Sequence, residues 1–274
     1  MRKVSAKSIK ISFIDKNSGE SFIKKYHYSG KIASTGIFYM GIFLDNKIIG
    51  AIQYGRPIDK YKVIGLVKDT TWDGFLELNR FVCIDNTPKN TESRALAISF
   101  KLIKKHYPHI KWVLSFADAC QCGSGTIYRA SGFYLTQIKK NNKLIYINKL
   151  KTVEHKMKFT TGIQGSFRKE FMKSGIKRWQ DFLNKNYGGY KELDGYQLRY
   201  IKLLYKDLEI TCPIIDYNEL DKLKFPDNVR HQKRVASIDN DAPSDQLGEG
   251  GASPTATLHP PIENPQQLKI LEHK

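Results

Sequence analysis

Residues 112–133, Trp-Val-Leu-Ser-Phe-Ala-Asp-Ala-Cys-Gln-Cys-Gly-Ser-Gly-Thr-Ile-Tyr-Arg-Ala-Ser-Gly-Phe, decide how this chain is read. The opening apolar run is rich in β-formers and bounded by turn residues, so it reads as a buried strand. Asp118 falls where that strand ends. A loop with Cys120, Cys122, Gly123 and Gly125 follows, then a helical turn carrying Thr126, Tyr128 and Arg129 that Gly132 stops. A strand, a polar residue at its carboxyl end, a glycine loop and a helix are how α/β proteins often build sites. An ordinary strand-to-helix connection has the same pattern.

Upstream, residues 93–105 read as a helix, with apolar Leu96, Ile98, Phe100, Leu102 and Ile103 and a basic end at Lys104 and Lys105. Asn90 or Thr91 caps it. Backbone N–H groups at such an end hold phosphate, and Arg94 adds charge. Residues 75–84 form another strand, whose strict alternation places Glu77, Asn79 and Phe81 on one face. Polar residues there either line a site or face solvent, because burial without partners is costly. Residues 37–45 and 47–54 are β-runs around Asp45-Asn46, a hairpin signal. Residues 4–14 are β-like and basic, and 21–26 form a short helix. The following Lys-Lys-Tyr-His-Tyr-Ser-Gly-Lys, 24–31, interleaves aromatics with lysines. Such a loop stacks a base and neutralises phosphate, or is simply a helix end with an exposed histidine.

Downstream, 133–135 and 143–148 read as two short strands. Residues 151–210 are basic and aromatic: 166–185 is predicted helical and 196–205 a strand. From 226 onward the chain is rich in Pro, Gly, Ser and Asp, which predicts disorder. The predicted organisation is a mixed α/β sheet domain over 1–150, a basic aromatic extension over 151–225 that contacts DNA, and a disordered acidic tail over 226–274.

The chain has 274 residues, 41% of them hydrophobic, and a formal net charge of +18. Residues 235–274 hold six acids and two bases, leaving 43 of the 45 lysines and arginines, and 21 of the 27 acids, in residues 1–234. That field favours a polyanion, nucleic acid first and acidic membrane second; a Lys-rich genome gives the same bias. No apolar run approaches the ~20 residues of a membrane span, and no apolar signal core follows the basic start. A soluble cytoplasmic protein is expected, in the host cytoplasm for a phage product. Cys120 and Cys122 are too close for ordinary disulfide geometry, which fits a reducing compartment.

The order strand, Pro-containing loop, helix, strand, glycine loop, helix, Tyr-x-x-x-Gly-Phe, strand resembles GNAT acyltransferases. Residues 87–94 fall where that fold holds acyl-CoA pyrophosphate, with Asn90, Thr91 and Ser93 in place of the usual glycines. A closer resemblance rests on Tyr26-His27-Tyr28-Ser29-Gly30, Glu77-Leu78-Asn79-Arg80, Pro88-x-Asn90-x-x-Ser93-Arg94, Ser115-Phe116-Ala117-Asp118 and Gly125-Thr126-Ile127-Tyr128. Their order and spacing are similar to the phage Mom family, which converts adenine in phage DNA to N6-carbamoylmethyladenine and protects it from restriction. The resemblance implies a GNAT-like fold, an acetyl-CoA site and bound iron. It implies a catalytic cluster of His27, Tyr28, Asp118 and Tyr128, with His27, Tyr28 and Asp118 as metal ligands. It also implies a cofactor site at Asn90, Ser93, Arg94 and Tyr128.

The family's product is joined through a methyl carbon and carries an extra nitrogen, which acyl transfer alone does not make; iron with N/O ligands suits such chemistry. Adenine N6 is paired in a duplex, so the base has to be exposed or flipped. Tyr26, Tyr28 or Tyr54 would stack on it, Asn79 would bond its edge, and Arg56, Arg80, Arg94, Lys173, Lys177 and Arg178 would hold phosphates of double-stranded DNA. A conventional N-acetyltransferase and a non-enzymatic DNA-binding protein are the competing readings.

Overall fold

The computed structural model describes residues 5–121, 123–160, 166–223 and 225. The tail expected to be disordered from 226, and Cys122, lie outside the described residues. One eight-stranded mixed sheet organises the chain, in the order β1-β2-β3-β4-β5-β8-β6-β7.

The chain enters through β1 (Lys10–Ile14) and α1 (Lys16–Tyr26). The helix begins a turn and a half earlier than its hydrophobic residues predict, because Asp15 accepts from the Ser18 N–H at 2.9 Å and caps it. β2 (Gly36–Leu44) and β3 (Lys47–Gly55) form the predicted hairpin, with Asp45 and Asn46 both at positive φ (48° and 61°). That is the turn whose twist matches a β-ribbon. β4 (Phe75–Cys83) pairs antiparallel with β3, and α2 (Thr91–His106) crosses over to β5 (Trp112–Asp118), which runs parallel to β4. α3 (Thr126–Ala130) and Gly132, at φ 68°, lead into β6. The element order expected from the GNAT resemblance is therefore the order observed along residues 75–147.

Three expectations change. The short strands at 133–135 and 143–148 are one strand, β6 (Tyr134–Ile147), kept continuous through a register shift between Asn141 and Leu144. The helix expected over 166–185 is two, α5 (Ser166–Lys173) and α6 (Trp179–Tyr187), separated at Gly175 in the left-handed region. The third concerns β4. Gln53 pairs with Arg80 but Tyr54 with Leu78, so Asn79 is the extra residue of a β-bulge. Beyond the bulge the alternation flips. Val82 packs under α1 with Ile14, Ile23, Tyr39 and Ala51, while Phe81 packs against the α2 side.

The segment after residue 150 builds part of the sheet. β7 (Thr152–His155) adds to β6, and β8 (Tyr190–Leu203) inserts between β5 and β6, pairing with both. Between them, α4 (Met157–Thr160), α5 and α6 gather a small core of their own, in which Phe159, Phe171, Phe182 and Leu183 pack on Ile145 and Ile147 of β6. α7 (Tyr217–Asp221) closes the described chain. The main core lies between the sheet and α2, around Met40, Ile52, Leu76, Leu96, Ile103 and Val113.

Candidate active site

β4 and β5 stay hydrogen-bonded for four register pairs, Phe75↔Trp112 to Leu78↔Ser115. Past Ser115 the strands part, and the opening is a cleft of about 860 Å3. Residues 78–83 of β4, with Ile84 and Asp85 after it, form one wall and Phe116, Ala117 and residues 125–128 the other. The turn after α1, residues 24–31, closes the mouth, and Glu92 and Thr152 complete it. His27, Tyr28 and Tyr128, far apart in sequence, therefore face one cavity, together with Tyr26, Asn79 and Arg80.

Asp118 is one residue beyond the wall residue Ala117 and is not itself among the lining side chains. Its carboxylate accepts from the Cys120 N–H at 3.1 Å and from Gln121 Nε2 at 2.5 Å. It thus holds the entry of the 119–125 loop, while Cys120 is buried against Asn141 of β6.

The His27 turn is built by local hydrogen bonds. The His27 N–H donates to Ile23 and ends α1, and the Gly30 N–H donates to the His27 carbonyl. The Ser29 N–H donates to His27 Nδ1 at 3.2 Å, with Ser29 Oγ 2.8 Å from the same nitrogen. An acceptor role for Nδ1 places the proton of the neutral ring on Nε2. The turn is anchored on both sides. Arg80 Nε donates to the Lys31 carbonyl, and Lys31 pairs with Glu154 of β7 at 3.0 Å. Two residues on, Gln53, fully buried, grips Ala33: the Ala33 N–H donates to its Oε1 (3.1 Å) and its Nε2 donates to the Ala33 carbonyl (2.7 Å). Nε2 also reaches the Tyr39 hydroxyl, which donates to Glu20. Burial, then the Glu20 charge, pushes Tyr39 up to about 12.

On the far wall, Ser115 donates to the Tyr128 hydroxyl at 2.9 Å and lies 3.3 Å from the Leu78 carbonyl. Tyr128 stacks on Tyr200, whose hydroxyl donates to the Ser124 carbonyl. The bulge residue Asn79 is 8% exposed, and its Oδ1 has no hydrogen-bond partner. Beside it, burial pushes Glu77 up to about 7, against the lowering effects of the Asn79 amide and the Arg80 guanidinium. Nothing in the sequence beyond a polar β4 announced this pair.

Other expected site residues separate. Asn90 takes the N-cap of α2 at φ 68°, the region glycine favours, which Asn tolerates better than other side chains. Ser93 Oγ donates to the Asn90 carbonyl, and Arg94 reaches out to the Lys7 carbonyl. Arg56 is spent inside the fold, its Nη1 donating to the Trp72 and Phe75 carbonyls, so it does not present a free guanidinium to phosphate. Tyr54 is fully buried with its hydroxyl 2.7 Å from Ser99 Oγ and is no stacking platform. Lys173, Lys177 and Arg178 are exposed on the α5–α6 cap, outside the cleft.

Of the three expected iron ligands, His27 and Tyr28 face the cleft and Asp118 does not line it. Among the described residues no three His, Cys, Asp or Glu side chains gather to hold a metal. The Ser29 N–H also occupies the His27 nitrogen that would need a proton for Nε2 to ligate. Among the described residues no helix is long and apolar enough to cross a membrane.

A family model described as the Mom protein family matches residues 8–226. A protein of Escherichia phage Mu named methylcarbamoylase mom is 33% identical over 129 residues, 47% of this chain. That match spans about half of the relative's length, 53%. Among solved structures, an IAA acetyltransferase from Bacillus cereus is 10% identical, with 72% of this chain and 99% of that one covered at a TM-score of 0.41. A GNAT family acetyltransferase from Elizabethkingia anophelis is 14% identical, with 72% and 98% covered at a TM-score of 0.36.

Proposed function

The chain belongs to the Mom protein family, and from that premise we propose that it is a DNA-modifying transferase. It converts adenine in double-stranded phage DNA to N6-carbamoylmethyladenine and so shields the DNA from host restriction. The observation that carries the reading is the cleft, where His27, Tyr28, Asn79, Arg80 and Tyr128 line one opening. The name of the phage Mu relative, methylcarbamoylase, points to the same transferred group.

The cleft suits a base brought out of the duplex. Exposed Tyr26 stands at its mouth with the Lys25 ammonium 5.1 Å from its ring centre. A flipped adenine stacks on such a ring, and Asn79 reads its edge, since an amide pairs bidentately with adenine. Lys24, Lys25, Lys31 and Arg80 on the cleft walls take the flanking phosphates. The N6 amine must lose a proton as its new bond forms, and the Ser115–Tyr128 hydroxyl pair is placed to relay protons within the cleft. Asn90, Ser93 and Arg94 at the start of α2 would hold acetyl-CoA as the source of the two carbons; a nitrogen donor and a two-electron oxidant are then required as co-reactants, with CoA leaving as the thiol.

Base analysis of DNA from cells expressing the protein tests the reading. Carbamoylmethylation adds C2H3NO to deoxyadenosine. A gain of C2H2O identifies a conventional acetyltransferase instead, and unchanged DNA a passive binder. His27→Ala and Asp118→Ala each abolish modification while duplex binding persists; wild-type modification by both variants overturns the assigned cluster.

A further inference from the structure

A second feature lies on the loop that follows β3. Two large apolar side chains of the 56–62 loop, Ile58 and Tyr61, are each 90% exposed, well beyond the next, Met172 at 63%. Scattered apolar residues on a surface are ordinary. These two differ because the loop that carries them is held stiff. Arg56 ties its start to the Trp72 and Phe75 carbonyls. Lys60 sits 5.6 Å from the Trp72 ring centre, and Lys62 pairs with Asp59 at 2.5 Å. Val63, at its end, is buried with Val67 against Phe75, Trp112 and Leu114. The apolar tips are therefore displayed by a braced scaffold rather than by a loose strand.

Phe116 connects this loop to the cleft. It packs against the cluster of Val63, Val67 and Trp112, and it also lines the cleft wall. The base of the loop and the floor of the cleft are thus neighbours. The loop displays two lysines, Lys60 and Lys62, against one acid, Asp59, matching a polyanion rather than an apolar partner.

We propose that the 56–62 loop is a wedge for duplex DNA, with Ile58 and Tyr61 entering the base stack beside the target adenine and Lys60 and Lys62 neutralising the adjacent phosphates. The inference rests on the DNA-modifying reading of the cleft and adds what that reading lacks, a device that keeps the vacated position from closing. Apolar side chains inserted at a base step unstack and kink a duplex. A rigid loop does so without ordering itself first.

The test uses duplexes in which 2-aminopurine replaces adenine in many sequence contexts, because its fluorescence rises on unstacking. One set carries the analogue paired, the other opposite an abasic position. Wild-type protein raises the fluorescence of both. The Ile58→Ser/Tyr61→Ser variant keeps the wild-type melting midpoint, since neither side chain is packed. It loses the rise on the paired duplex, binds that duplex about tenfold more weakly, ~1.4 kcal/mol, and retains the rise on the abasic set.

Equal fluorescence from both proteins on paired duplex overturns the wedge, as does equal weakening on both sets, which marks a mere contact surface. Self-association of the wild type that the variant abolishes, with DNA unstacking intact, assigns the patch to a second copy of the chain. Wild-type protein that binds duplex without any rise defeats the wedge alone. Wild-type protein that does not bind duplex defeats the DNA reading with it.

Discussion

Replacing Gln53 with Leu tests whether the His27 turn is held from inside the sheet. Gln53 is fully buried in β3 and makes three hydrogen bonds: 3.1 Å from the Ala33 N–H, 2.7 Å to the Ala33 carbonyl and 2.9 Å to the Tyr39 hydroxyl. Each contributes a net ~1 kcal/mol, so their loss costs about 3 kcal/mol. Two corrections act in opposite directions. Ala33 is half-buried, so water recovers part of its share. Tyr39 is 3% exposed and keeps only Glu20 as a partner. A Leu of similar volume adds apolar burial worth ~1 kcal/mol. The expected destabilisation is about 2 kcal/mol in urea unfolding, with an unchanged m-value. Because Ala33 is two residues past Lys31, the effect should concentrate there. Amide exchange over residues 28–35 should speed up more than in the β3 core, and DNA modification should fall more than the folded fraction does. A loss below ~0.5 kcal/mol, or a larger loss with exchange over 28–35 unchanged, refutes the clamp.

Three further outcomes follow from the same walls. Glu77→Gln should raise stability at pH 8 by about 2–3 kcal/mol. Burial lifts the Glu77 carboxyl from 4.5 to about 7, so its contribution is present below pH 4.5 and lost as pH rises through 7; unfolding titrations at pH 4 and pH 8 check the sign. Gly55→Ala should cost about 3 kcal/mol or more, because its Cβ would stand 2.0 Å from the Thr35 carbonyl oxygen and 2.3 Å from Asn79 Oδ1; a melting curve close to wild type contradicts it. Lys31→Ala and Arg80→Ala should each weaken duplex binding across all sequences and flatten the salt dependence of the binding constant by about one phosphate contact; an unaltered slope places phosphate elsewhere.

Where the sequence was informative, local chemistry was sufficient. Asp45-Asn46 specifies its turn by tolerating positive φ, and the run 112–118 is a strand because nothing but a buried strand suits it. Residues 26–30, 78–80 and 125–128, drawn from three of the motifs that carry the resemblance, line one cleft, with Asp118 outside its lining. What stayed hidden was set by distant partners. The bulge at Asn79 exists because β3 and β4 slip by one residue between Gln53 and Tyr54, which no alternation pattern records. Residues 139–142, polar enough to read as a turn, continue a strand because β8 arrives from fifty residues later to pair with them. Arg56 resembles a phosphate ligand in any list of cations; only two backbone carbonyls reveal it as a brace.

Why the site sits at this place follows from the sheet. A parallel pair buried on both faces leaves no room for a ligand, so a cavity requires that β4 and β5 part. Four devices act at the point of parting. The Asn79 bulge bends β4, and Ser115, at the last register pair, turns its hydroxyl to Tyr128 and α3. Asp118 then ties down the loop beyond, and β8 holds the opposite edge of β5 along its whole length, Trp112 to Asp118. The opening is expensive: it leaves Asn79 Oδ1 without a partner and Glu77 in a medium that disfavours its charge. The buried side chains of the paired part of β4 and β5 are largely apolar, Phe75, Leu76, Trp112, Val113 and Leu114, so stability alone would close this gap with aliphatic side chains. An unpartnered amide oxygen on Asn79, which lines the cleft, beside a carboxyl whose charge is disfavoured is the imprint of a site that serves a ligand at the expense of the fold.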